Sequence, residues 1–294
     1  MKQLTIISGK GGTGKTTLTA AFAHLADHAV IADCDVDAAD LHLILTPRVV
    51  KEEPFYGGRL ASIDDQRCTR CGLCEQNCRF GAVKAFKVDP LACEGCGVCA
   101  YICPEQAVSM DERLSGCWFV SDTKEGPMVH ALLGIAAENS GKLVSTVRQK
   151  AKELAEKEKK DLVIIDGPPG IGCPVIASIG GVDLVLVVTE PTLSGLHDLK
   201  RILEVANHFN IPAMACINKC DINPENARTI ESYCEEKGIA VAGRIPYDPA
   251  VTGAMMNVLS VAEYPCGQVT GEVEKIWKKV EEYLSGVNKT KCSF

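Results

Sequence analysis

Two sets of residues in this chain have types and spacings suited to chemistry. The first is Ser8-Gly9-Lys10-Gly11-Gly12-Thr13-Gly14-Lys15-Thr16-Thr17, which fits the spacing Gly-x4-Gly-Lys-Thr from Gly9 to Thr16. Glycines at these positions let backbone N–H groups converge on phosphate oxygens without a Cβ in the way. Lys15 supplies a point charge for β- and γ-phosphates, and the Thr16 hydroxyl can ligate Mg²⁺. The second set is cysteine-rich: Cys68, Cys71, Cys74 and Cys78 recur 25 residues later as Cys93, Cys96, Cys99 and Cys103. Gly72 maps onto Gly97, Ala82 onto Ala107 and Val83 onto Val108, so the block is an internal repeat.

These residues need elements to hold them. Leu4–Ile7 reads as a buried strand ahead of the glycine loop, and Leu18, Ala21, Phe22, Leu25 and Ala26 recur at helical spacing after it. That order puts a helix N-terminus, with its favourable dipole, at the phosphates. Val30-Ile31-Ala32 is a short strand ending in Asp33-Cys34-Asp35, followed by a turn and a brief helix at Leu41–Leu45. Residues 47–58 read as irregular, and Leu60–Ile63 as a short strand leading into the cysteines. A hairpin turns at Lys124–Pro127 between Cys117–Ser121 and Met128–Ala131. Gly141–Lys160 is a surface helix. Strands at Leu162–Ile165, Leu184–Val188 and Ala213–Ile217 then alternate with helices at His197–Asn207, Glu225–Lys237 and Val273–Leu284. The last helix is expected to dock on the core. Such alternation predicts an α/β fold, a doubly wound, mostly parallel sheet with helices on both faces.

The chain has 294 residues, enough for one large domain or two ordinary ones. Its formal charge is −7, from 31 basic against 38 acidic residues, with no long basic run, so nucleic acid is not an expected partner. Apolar runs such as Leu184–Val188 are too short to span a bilayer. Met1 runs straight into the first strand, so no export signal is expected, and a cytoplasmic location follows. In a reducing compartment, sixteen cysteines point to metal ligands before disulfides.

Carboxylates at strand ends complete the phosphate site. Asp166 opens Asp-Gly-Pro-Pro-Gly after the strand Leu162–Ile165, the usual place for an acid that holds Mg²⁺ directly or through water. Asp33 is a second Mg²⁺ candidate, and Asp35 is placed to orient an attacking water.

Lys10-Gly11-Gly12-Thr13-Gly14-Lys15-Thr16-Thr17 resembles the deviant Walker A motif of the MinD, ParA and Mrp ATPases and the nitrogenase iron protein. Asp33-Cys34-Asp35 and Asp166-Gly167-Pro168-Pro169-Gly170 match the family's two switch regions. The resemblance covers most of the chain outside the cysteines. It implies a P-loop ATPase that closes as an ATP-dependent dimer, with itself or with a paralogue. Nucleotide contacts would come from Gly9 through Thr17, with Asn218 and Lys219 near the base. Lys10 would reach the partner's phosphates, acting with Lys15 and Asp35 in hydrolysis. Asn218-Lys219-Cys220-Asp221 also has the Asn-Lys-x-Asp form by which GTPases read guanine; the family resemblance favours ATP.

Each cysteine repeat, Cys-x2-Cys-x2-Cys-x3-Cys, resembles the bacterial ferredoxin arrangement for a [4Fe–4S] cluster, whose fourth cysteine serves the other cluster. The resemblance assigns Cys68, Cys71, Cys74 and Cys103 to one cluster, and Cys93, Cys96, Cys99 and Cys78 to the other. Zinc is the competing occupant of eight thiolates. Arg79 stands where ferredoxins carry proline, which Pro104 keeps in the second repeat. The expected domains are residues 1–63 and 114–294 for the ATPase, interrupted by a small α+β ferredoxin-like domain at 64–113.

Elsewhere Cys34, Cys117, Cys216, Cys234 and Cys266 read as packing residues. Cys173, seven residues after Asp166, reads as a small buried thiol. A cluster-ligating cysteine in a similar place in the nitrogenase iron protein gives the alternative that it meets its dimer mate. Three functions fit, in this order: an ATPase whose dimerisation gates electron transfer to an unknown redox partner; an Mrp-like carrier or assembly factor delivering clusters to an acceptor; and a MinD-like positioning ATPase. The third expects a basic amphipathic membrane-targeting end, whereas Asn288–Phe294 is short and weakly apolar, so no stable anchor is expected.

Overall fold

The computed structural model describes residues 1–134 and 140–286. In chain order the elements are β1 (Lys2–Ser8), α1 (Lys15–Leu25), β2 (Ala29–Asp33), α2 (His42–Leu45), β3 (Arg48–Ile63), α3 (Leu73–Gln76), β4 (Val83–Lys84) and β5 (Lys87–Val88). There follow α4 (Val98–Tyr101), β6 (Val108–Thr123), β7 (Gly126–Leu133), α5 (Ser140–Glu158), β8 (Leu162–Pro169), α6 (Cys173–Ile179), β9 (Leu184–Thr189) and α7 (Leu193–His208). The chain continues with β10 (Ala213–Asn218), α8 (Pro224–Glu236), β11 (Ala240–Ile245), α9 (Ala250–Met256) and α10 (Gln268–Leu284).

The sheet runs β11-β10-β9-β1-β8-β2-β7-β6-β3. From β11 to β7 every neighbouring pair is parallel. This is the doubly wound α/β arrangement, with the phosphate loop leaving β1 near the middle of the sheet. β2 and β8 pair in a register that sets Asp33, the last residue of β2, opposite Asp166 within β8, so the two acids stand side by side at one level. Central strands are buried on both faces and read as continuous apolar runs: β9, Leu-Val-Leu-Val-Val-Thr, is buried throughout. On one face α1 and α10 pack together, with the rings of Phe22 and Trp277 5.0 Å apart. Val269, Val273, Ile276, Val280 and Leu284 of α10 join that core. The last helix therefore docks on the body, as its spacing predicts. Among the described residues no helix is long and apolar enough to cross a membrane. The C-terminal stretch Asn288–Phe294, with Cys292, lies outside the described residues.

The chain divides into two compact units. One comprises Met1–Glu52, Trp118–Leu132 and the described residues from Ser140 on; the other comprises Glu53–Cys117 with Leu133 and Gly134. The span 64–113 lies within the second unit. There Gly72 and Gly97 cap α3 and α4 with φ values of 80° and 77°, the left-handed conformation that glycine adopts most readily, so the repeat extends to the backbone. Its small core gathers Ala61, Ala82, Cys93 and Val108, backed by Leu60, Ile63 and Met110.

Residues 47–58, read from sequence as irregular, are a correction: from Arg48 on they belong to β3, sixteen residues long. Pro54 and the Gly57-Gly58 pair are breakers in a central strand, but β3 is an edge, where proline is tolerated. Gly57 is required by close approach, since a Cβ there would lie 2.7 Å from the Phe55 ring and 3.0 Å from Ser115 Cβ. β6 likewise begins at Val108, well before the expected Cys117, and β11, α6 and α9 had no counterpart in the sequence reading.

Candidate functional site: a phosphate loop and two cysteine cavities

The loop between β1 and α1 borders a pocket of about 520 Å³, within the usual size of a small-ligand site. Gly11, Gly12, Gly14, Lys15, Thr16 and Thr17 line it on one side. Asp35, Pro169, Asn218 and Lys219 line it elsewhere. Gly14 caps α1 at φ 92°, which turns the first amides of the helix toward the pocket. Lys15 is buried and its Nζ sits 2.5 Å from Asp35 Oδ2. Burial pulls the Lys15 pKa down, but the carboxylates of Asp166 and Asp35 together hold it above the ordinary lysine value. The ammonium is therefore charged where phosphates would sit.

Thr16 Oγ1 donates to Asp166 Oδ2 at 2.7 Å, and Thr19 Oγ1 lies 3.0 Å from Asp166 Oδ1 and 2.9 Å from Lys15 O. Asp33 Oδ1 accepts the Asp35 N–H at 3.1 Å, but its Oδ2 is buried without a partner, as is Thr13 Oγ1. Burial first, then the neighbouring Asp166, pushes the Asp33 carboxyl well above the usual range. Burial also raises Asp166, against the pull of Lys15 and the two threonine hydroxyls. Two buried acids at one level, one with an orphaned oxygen, beside a threonine hydroxyl, form a hard oxygen donor set that fits Mg²⁺.

Asn218 Nδ2 donates to Thr13 O at 2.8 Å, and Lys219 Nζ donates to Gly12 O at 3.3 Å. The structure therefore brings Lys15, Thr16, Asp33, Asp35, Asp166, Asn218 and Lys219 around one loop. Lys10 is different: its Nζ pairs with Glu190 Oε2 at 3.0 Å within the same chain. Gly9 backs directly onto Asp198 of α7, with no room for a Cβ. Sequence reasoning passed over Thr19, Glu190 and Asp198. Thr19 carried a helical signal, one turn after Lys15. Glu190 carried a weaker one, an acid at the end of a buried strand.

In the second unit the eight cysteines surround two cavities. Cys68, Cys71, Cys74 and Cys103 line one; Cys78, Cys93, Cys96 and Cys99 line the other. Each fourth cysteine thus stands with the other repeat's triple. Ala82 N–H points at Cys78 Sγ and Ala107 N–H at Cys103 Sγ, both at 3.3 Å, so the repeats share an amide-to-sulfur contact. Burial followed by backbone amides acts on Cys78 in opposite senses, and the amides win, lowering that thiol. Burial and the neighbouring sulfurs raise Cys74 and Cys99. Among the described residues no three cysteine sulfurs lie within 4.8 Å of one another.

Cys34, Cys216, Cys234 and Cys266 are buried, as expected of packing residues, and Cys117 is half-buried. Cys173 corrects the buried reading: it is exposed at the first position of α6.

The profile of the CobQ/CobB/MinD/ParA nucleotide binding domain matches residues 4–261. The uncharacterized protein MJ0578 of Methanocaldococcus jannaschii is 32% identical over 286 residues, covering 96% of this chain and 97% of the relative. The iron-sulfur cluster carrier protein of the same organism is 25% identical over 158 residues, 49% of this chain and 54% of the carrier. Among solved structures, the septum site-determining protein MinD complexed with Mg-ADP, from Pyrococcus horikoshii, superposes with a TM-score of 0.59 at 18% identity. That match covers 98% of this chain and 99% of MinD, and it speaks for the fold.

Proposed function

The chain belongs to the CobQ/CobB/MinD/ParA nucleotide-binding family, and from that premise we propose that it is an ATPase whose nucleotide-dependent dimer gates electron transfer through two [4Fe–4S] centres. Cys68, Cys71, Cys74 and Cys103 would hold one centre, and Cys93, Cys96, Cys99 and Cys78 the other. The observation that carries this reading is the crossed grouping of the cysteines around two cavities. The tight Cys-x2-Cys-x2-Cys triple of each repeat supports iron–sulfur over zinc, whose sites usually pair separated Cys-x2-4-Cys knuckles. When bound, the centres supply one-electron chemistry.

At the nucleotide site, Thr16, Asp33 and Asp166 would hold Mg²⁺, which neutralises charge building on the phosphates. Lys15 binds the β- and γ-phosphates. Doing so exchanges its partner, from the Asp35 carboxylate to phosphate oxygens. Asp35, released, is then free to accept a hydrogen bond from the attacking water and hold it in line. Lys10 of a second protomer adds positive charge as the leaving oxygen becomes negative. Asp221 supports adenine over guanine. Its Oδ1 already accepts the Tyr247 N–H at 2.7 Å, so the acid with which a GTPase reads guanine is engaged by main chain. Competition between ATP and GTP tests this, and a clear preference for GTP refutes it.

The gating reading is tested by potentiometric titration of anaerobic protein without nucleotide, with ADP, and with ATP and Mg²⁺. A nucleotide-dependent shift in cluster potential, or in the rate of reducing an acceptor, is expected. Identical behaviour in all three states refutes gating. The similarity to an iron–sulfur cluster carrier favours a second reading, ATP-dependent delivery of a cluster. Transfer of iron and sulfide to an apo-ferredoxin, faster with ATP, decides for that reading.

A further inference from the structure

The lysine that would cross a dimer is held at home. One oxygen of Glu190 lies 3.0 Å from Lys10 Nζ, and the other accepts from Lys219 Nζ at 2.6 Å. Lys219 in turn holds Gly12 O. A single carboxylate therefore holds the loop that would cradle phosphates at Lys10 directly and at Gly12 through Lys219.

The two halves of the Lys10 pair differ in freedom. The Glu190 side chain is 13% exposed and that of Lys10 39% exposed. Glu190 is also fixed from behind, because its carbonyl accepts the Thr192 N–H at 2.7 Å as the chain turns into α7. Burial would raise the Glu190 pKa, but hydrogen bonds from Lys219 and Lys10 hold it below the ordinary glutamate value. Stripping a mostly buried carboxylate of its only cation is very costly, whereas an exposed pair exchanges at little cost. With Lys219 in place, Lys10 can leave without orphaning the charge.

We propose that Glu190 is a positioning residue that parks Lys10 within its own chain and yields it only to the triphosphate bound by a second copy of this protein. Lys219 is the counter-charge that makes the exchange possible. The idea rests on the trans-acting Lys10 of the function proposed above. Removing the charge at Glu190 should make Lys10 available at all times. The amount of ATP needed to assemble a dimer then falls. Removing Lys219 leaves Glu190 to Lys10 alone, and that amount rises.

The test uses the full chain with Mg²⁺ and a non-hydrolysable ATP analogue, dimer being followed by sedimentation. Glu190→Gln should lower the analogue concentration at half-maximal dimer by about two- to fivefold, the scale of a partly exposed ion pair, and Lys219→Met should raise it. If Glu190 merely props the loop, both variants raise it, which overturns the proposal. A second measurement needs no dimer: amine labelling of nucleotide-free protein, read at Lys10 by mass spectrometry. Labelling should be faster in Glu190→Gln than in wild type, and equal rates refute the contact. Faster labelling in Glu190→Gln, with a wild-type protein that never dimerises on the analogue, would keep the contact but overturn the trans reading, and the gating role with it.

Discussion

Replacing Gly14 by alanine should cripple nucleotide binding, and the geometry sets the size. Gly14 has φ 92°, and a Cβ there would run into Asn218 Nδ2. An L-residue in the left-handed region costs roughly 1–2 kcal/mol. Pushing Asn218 aside breaks its 2.8 Å bond to Thr13 O, worth about 0.5–1.5 kcal/mol. Without nucleotide the loop can relax away from this strain. With phosphates bound it cannot, because the amides after Gly14 must face them. The strain therefore appears as lost affinity, about 2–3 kcal/mol or roughly 30- to 150-fold. Gly12 has φ 77° but open space around the position of a Cβ. Gly12→Ala should lose only the conformational part, roughly 5- to 30-fold. Titration with a fluorescent ATP analogue reads both. Gly14→Ala binding within threefold of wild type, or no more weakly than Gly12→Ala, would refute the reasoning.

Three further outcomes follow from the same geometry. Because the Asp33 carboxyl is raised, the folded state holds its proton more tightly than the unfolded chain, so its contribution to stability falls as pH rises through the folded pKa. Asp33→Asn should thus raise the melting temperature of nucleotide-free protein at neutral pH, by about 1–3 kcal/mol of stability. The gain should fade as pH drops toward about 4, where both states bind the proton, and Mg-ADP should stabilise the variant less than wild type. Cys103→Ser and Cys68→Ser should lose the same iron signal, and Cys78→Ser the other; loss of one signal by Cys68→Ser and Cys78→Ser together would mean uncrossed ligation. Trp277→Ala removes the partner of Phe22 beneath α10 and should cost about 3–5 kcal/mol by thermal or urea unfolding, whereas a membrane-facing tryptophan would cost almost nothing.

What could be read from the residues, and what could not, divides along physical lines. The β1–loop–α1 unit was legible because periodicity, glycine placement and Lys15-Thr16 all agree on one local structure. The acids Asp33 and Asp166 were legible because each ends a short buried run. β3 was not, because Pro54 and Gly57-Gly58 break a pattern that only an edge position excuses. β11, Ala-Val-Ala-Gly-Arg-Ile, hid behind Gly243, where the absent Cβ admits Ile276 of α10, a contact between residues far apart in sequence. The role of Glu190 was invisible for the same reason. Nothing near Thr189-Glu190-Pro191 announces two lysines, which arrive from Lys10 and Lys219 only when β1, β9 and β10 lie side by side. The cysteine spacing singled out the eight thiols at once. Which cavity each fourth cysteine borders depends on how the two repeats fold together, and spacing alone leaves that to resemblance.

The proposed function requires an ATP site and two iron–sulfur centres in one polypeptide. EPR of anaerobically purified, dithionite-reduced protein, with iron and sulfide measured on the same sample and spectra taken with and without ATP and Mg²⁺, probes both together. About eight iron per chain, with signals of reduced [4Fe–4S] centres that change on adding nucleotide, is the predicted result. Zinc in place of iron, or spectra indifferent to ATP, would contradict it.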